Sequence, residues 1–107
     1  MAQAVTTGPN TTFPSPRVLL VEDQEHAAKG LAELLHLEGF AVILAKDGPT
    51  GIAAAADAPV DAVVLDVMLP GMSGFDVCRR LRRLEATSRV PIVMLTGLSD
   101  TPSKLQS

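Results

Sequence analysis

The chain has 107 residues, 47% of them apolar, with three Phe, no Trp or Tyr, and a formal charge of −3. That length bounds it to one domain built on an aliphatic core, and the acidic balance excludes the basic field of a non-specific nucleic-acid binder. A single cysteine, Cys78, excludes an intramolecular disulfide; no apolar run approaches the ~20 residues of a membrane span and the start carries no signal-peptide pattern, so a cytoplasmic protein is expected.

Residues 1–16, MAQAVTTGPNTTFPSP, carry Thr, Pro and Asn where a folded element would show an apolar period, and they read as a disordered leader. Structure is expected from Arg17. RVLLV over Arg17–Val21 is a continuous apolar run, the pattern of a strand covered on both faces, and it stops on the adjacent acids Glu22 and Asp23. The period then changes: Ala27, Leu31, Leu34 and Leu35 recur at helical spacing, predicting an amphipathic helix that starts near Asp23 or Gln24 and is stopped by Gly39. Phe40–Ala45 predicts a second strand, Asp47-Gly48-Pro49 a turn, and the alanine-rich Thr50–Ala58 a second helix.

The stretch Asp61–Gly74, DAVVLDVMLPGMSG, carries the strongest signal. Ala62–Leu65 is a third buried-strand run, Asp66 sits at its C-terminal end, and a loop with Pro70, Gly71, Ser73 and Gly74 follows. Beyond it, Val77, Cys78, Leu81 and Leu84 form the apolar stripe of a third helix, with Cys78 expected as a core filler. Asp76 lies in its first turn and Arg79, Arg80, Arg82 and Arg83 further along, a charge order that suits the helix dipole; the arginines are expected to form a solvated face. Val90–Leu95 predicts a fourth strand ending at Thr96-Gly97.

The order β-α-β-α-β-α-β implies a parallel, doubly wound α/β sheet with right-handed crossovers. Glu22, Asp23, Asp66 and Thr96 all fall at C-terminal strand ends, where such sheets open a ligand crevice. Three carboxylates and a hydroxyl are hard oxygen donors, suited to Mg²⁺ rather than zinc, and an aspartate beside that ion can act as a nucleophile toward phosphorus. Gly71 and Gly74 read as backbone devices of the loop, since no GxxxxGK[ST] motif is present, and His26 as a surface residue.

The motifs VLLVEDQE, AKDG, DAVVLDVMLPGMSGFDVCRRLR and PIVMLTG resemble the receiver domain of bacterial two-component response regulators, over about Arg17–Ser99. The thirty positions from Asp66 to Thr96 (96 − 66 = 30) are similar to the family's spacing between phosphoacceptor and hydroxyl residue. The resemblance implies a flavodoxin-like fold. It also implies that Asp66 accepts phosphate from a sensor histidine kinase or phosphotransfer protein, and that Glu22, Asp23, Asp66 and the backbone carbonyl of Met68 hold Mg²⁺. Thr96 would be the switch hydroxyl.

Family receivers continue with a further helix, a strand ending in Lys-Pro, and a last helix, whereas Lys104 stands only eight residues past Thr96 (104 − 96 = 8). The expected organisation is thus a leader over 1–16, a receiver domain over 17–99 that lacks the last helix-strand-helix, and a tail over 100–107. Without the fifth strand, Val90–Leu95 is expected to be an exposed apolar edge, open to an output protein or to self-association. Two functions follow: a phosphoacceptor signalling module without turnover chemistry, or a receiver-like interaction module that no longer switches. An aspartate-nucleophile phosphatase would want a second Asp two residues after Asp66, where Met68 stands. No nucleic-acid or membrane partner is expected.

Overall fold

The computed structural model describes residues 15–95. Within them the elements are β1 (Arg17–Val21), α1 (Glu25–Leu37), β2 (Ala41–Ala45), α2 (Gly48–Asp57), β3 (Ala62–Asp66), α3 (Gly74–Arg83), a single 3₁₀ turn (Glu85–Thr87) and β4 (Ile92–Leu95). The strands form one parallel sheet in the order β2-β1-β3-β4. This is the flavodoxin-like α/β architecture expected from the alternating pattern. The leader, Thr96, the tail with Lys104, and the expected absence of a final helix-strand-helix lie outside the described residues.

Side-chain alternation divides the sheet into two faces. Leu19 and Val21 of β1 and Val63 and Leu65 of β3 point to one, where they join Ala55 of α2 and Val77 and Leu81 of α3 in a buried cluster. Val18 and Leu20, directed to the other face, are buried as well, and α1 packs across β1 and β2. Each such aliphatic side chain withdrawn from water stabilises by about 1.5–3 kcal/mol, and the strands need be apolar on both faces for that reason.

Local chemistry sets the element boundaries. α1 ends as Gly39, at φ 97°, donates its amide to His36 while Phe40 donates to Leu35, the paired closure of a left-handed C-terminal cap. Phe40 is therefore used by the helix end, and β2 starts one residue later than expected. Asp47-Gly48-Pro49 is the start of α2 rather than a separate turn: the Asp47 carboxylate accepts from the Thr50 amide at 2.8 Å, and Pro49 stands in the first turn, where its missing N–H costs nothing. β4 is shorter than Val90–Leu95 because Val90 donates to Thr87, closing the 3₁₀ turn; Pro91 starts the ladder only through its carbonyl, which accepts from Val63.

Two expectations for α3 are corrected. Cys78 is only half-buried, at the margin of a stripe made by Gly74, Val77 and Leu81. Arg82 is not simply solvated. Its guanidinium donates to the carbonyls of Thr87, Ser88 and Val90, at 3.1, 3.3 and 2.7 Å, and ties the connection before β4 to the helix.

Candidate functional site

The strand order places the chain's reversal between β1 and β3. From β1 the chain moves outward to β2, and from β2 it returns past β1 to β3, so the loops leaving β1 and β3 diverge and leave a crevice between them. The parallel register sets the residues at its rim. Val21 is paired with Leu65, so Glu22, the next residue, comes level with Asp66, while Asp66 itself is paired with Leu95.

Glu22, Asp23 and Asp66 each offer a carboxylate oxygen to one locus, these atoms lying within 4.8 Å of one another. Glu22 and Asp66 are buried, at 3% and 2% exposure, and Asp23 is intermediate. The backbone holds two of these acids in place. The Gln24 amide donates to Glu22 Oε2 at 3.0 Å, and the Met68 amide donates to Asp66 Oδ1 at 3.1 Å. A cleft of about 350 Å³, bordered by Glu22, Asp23, Lys29 and Lys46, opens on the β1 side of the cluster.

The loop after Asp66 is pinned at both ends. The Val67 amide donates to Leu95, and the Gly74 amide donates back to Val67 at 2.8 Å, so α3 starts directly against the peptide that carries Asp66. Between them Gly71 takes a φ of 77°, and Ser73 caps α3 by accepting from the Asp76 amide. Met72 turns back onto the start of α2, where a Cβ on Gly48 would meet its Sδ at 2.9 Å and Val77 Cγ2 at 2.8 Å. The tight roles of Gly48 and Gly74 were not legible beforehand, because nothing local separates a glycine that closes a contact from one that frees a turn.

Three carboxylates this close repel one another, and two of them have left bulk water, an arrangement that a divalent cation offsets. Oxygen-only donors at the mouth of an open cleft fit Mg²⁺, which keeps several waters and takes few protein carboxylates. Of the four expected site side chains, the fold thus brings Glu22, Asp23 and Asp66 together; Thr96 lies outside the described residues.

The model of the response regulator receiver domain matches residues 18–107. The chain belongs to the response regulator receiver family. This receiver domain is 52% identical over 80 residues to the sensory transduction protein RegX3 of Mycobacterium tuberculosis, 75% of this chain and 34% of that protein. It is 41% identical over 92 residues to the response regulator PleD of Caulobacter vibrioides, 86% of this chain and 20% of that one. The receiver domain therefore spans about a third or less of the length of these relatives. Among solved structures it resembles the Vibrio cholerae chemotaxis response regulator CheY4, with a TM-score of 0.75, 32% identity, and coverage of 86% of this chain and 76% of that one. It also resembles the receiver domain of a Pseudomonas aeruginosa sensor histidine kinase, described with a magnesium ion coordinated in its active site cleft (TM-score 0.74, 33% identity, 77% and 67% covered). Among the described residues no helix is long and apolar enough to cross a membrane.

Proposed function

We propose that this receiver domain of a two-component system takes a phosphoryl group onto Asp66 in the cytoplasm, from a sensor histidine kinase or phosphotransfer protein. The observation that carries the proposal is the convergence of Glu22, Asp23 and Asp66 oxygens within 4.8 Å at the reversal point of the sheet. Mg²⁺ bound there would offset charge on the transferring group. Glu22, Asp23 and Asp66, with the backbone carbonyl of Met68, are the groups to hold it.

The Asp66 carboxylate is the nucleophile. One of its oxygens attacks phosphorus, the P–N bond to the donor imidazole breaks as the P–O bond of an acyl phosphate forms, and the imidazole leaves with a solvent proton. The Met68 amide, bonded to Oδ1, orients the carboxylate. Thr96 is assigned the hydroxyl that donates to a phosphoryl oxygen. This is a stoichiometric modification that biases a two-state equilibrium read by an output protein, not turnover catalysis.

Intact mass after incubation with Mg²⁺ and acetyl phosphate tests it. One phosphoryl adduct on the wild type and none on Asp66→Asn is expected. A folded chain that gains no adduct overturns the phosphoacceptor assignment and leaves the non-switching interaction module. That second reading is favoured by β4, which pairs only with β3 among the described residues and exposes 51% of Val93, an edge able to pair with another chain.

A further inference from the structure

α3 presents to solvent a set of charges that the acidic site does not use. Arg79, Arg80 and Arg83 line a groove of about 370 Å³ whose other wall is Gly71 and Met72 of the loop after Asp66. The arginines of this helix divide by role. Arg82 is spent on the three carbonyls before β4, and Arg79 is ion-paired with Asp76, itself on the groove wall. Arg80 and Arg83 are exposed and have no hydrogen-bond or ion-pair partner among the described residues. Phe75, one turn before Arg79, is 56% exposed. At helical spacing Phe75, Arg79 and Arg83 run along one face, and Arg80 lies one turn before Arg83. In a chain of net charge −3 this is a local reversal of sign beside an exposed ring.

We infer that the α3 groove is a docking site for an acidic peptide segment of a protein partner, with Arg80 and Arg83 pairing to its carboxylates and Met72 on the groove wall taking apolar contact. Guanidinium forks match carboxylates bidentately and lose little hydration in doing so. The geometry favours a short acidic motif over a polynucleotide. Arg79 and Arg83 are four residues apart on one helix, a rise of about 6 Å, whereas a nucleic acid is held by phosphate contacts spread over a long track, commonly about six to ten of them. The site is separate from the carboxylate cluster, so it is tested independently of phosphorylation.

The test is fluorescence anisotropy with the full chain and a fluorescein-labelled hexaglutamate peptide, using hexaglutamine and a single-stranded oligothymidine as comparators. Saturable binding of hexaglutamate is expected, weakening with salt. It should fall about tenfold or more in Arg80→Glu/Arg83→Glu and be unchanged in Arg89→Glu, whose arginine is exposed but lies off the groove. Arg80→Gln/Arg83→Gln, which removes charge without reversing it, should show an intermediate loss, with circular dichroism confirming the fold of each variant. Absence of hexaglutamate binding, equal binding of hexaglutamine, an equal loss in Arg89→Glu, or tighter binding of the oligothymidine would each overturn the inference, the last in favour of a nucleic acid.

Discussion

Gly74 stands where no side chain fits against Asp66: a Cβ on it would lie 2.5 Å from the Asp66 carbonyl oxygen and 2.8 Å from Val67 Cα. Both neighbours are backbone and cannot swing aside. Replacing a helical glycine by alanine ordinarily gains up to about 1 kcal/mol, but here α3 would have to retreat from β3, at an overpacking cost of about 1–3 kcal/mol or more. Gly74→Ala is expected to lower the urea midpoint and, by shifting the loop that orients the carboxylate, to slow acetyl phosphate labelling of Asp66. Unchanged stability and unchanged labelling would show that the close approach is not needed.

The crowding of Glu22, Asp23 and Asp66 is expected to make stability depend on a divalent cation. Mg²⁺ at 100 times its Kd would add about 2.7 kcal/mol to the folded state, so the melting temperature should rise on titration with MgCl₂ and fall back with EDTA. Asp23→Asn should blunt that rise. A melting temperature indifferent to Mg²⁺ would remove the metal assignment.

Asp47 supplies a pH dependence remote from the site. Its hydrogen bonds with Thr50 hold its carboxyl below the ordinary aspartate value of 3.8. A group whose folded pKa is depressed contributes stability that is fully present above its unfolded pKa and lost as pH falls through the folded one. The cap's charge-dependent share should therefore be intact at neutral pH and be lost progressively below about pH 4. Asp47→Asn keeps an acceptor for the Thr50 amide but removes the titration. The gap between the two urea midpoints should hold at neutral pH and narrow as the pH falls below the ordinary aspartate value of about 4. A gap that stays constant would contradict this account.

Val93 tests the edge of the sheet. It is 51% exposed on β4, whose outer backbone groups have no strand beside them among the described residues. Natural edges are commonly guarded by lysine. Val93→Lys should therefore shift the concentration dependence of light-scattering mass toward monomer while leaving Asp66 labelling intact. Self-association that survives the substitution would place the contact elsewhere.

The apolar runs at Arg17–Val21 and Ala62–Leu65, each ending on acids, and the helical period between strands were enough to read a parallel α/β sheet with Glu22, Asp23 and Asp66 at C-terminal strand ends. Those features are local: run length and period follow from which faces an element must bury, and a residue's place at a strand end follows from the chain order. Packing in the folded chain decided the rest. That the adjacent acids Glu22 and Asp23 meet the distant Asp66 within 4.8 Å depends on β1 lying beside β3 in a definite register. Closer contact within the folded chain made Asp47 a cap rather than a turn residue, through Thr50 three residues on, and set Arg82 on carbonyls five to eight residues on while Arg80 and Arg83 stayed in solvent. It also left no room for a Cβ at Gly74. Identical residue types in one stretch carry identical local signals, and only the neighbours that folding sets against each side chain give them different work.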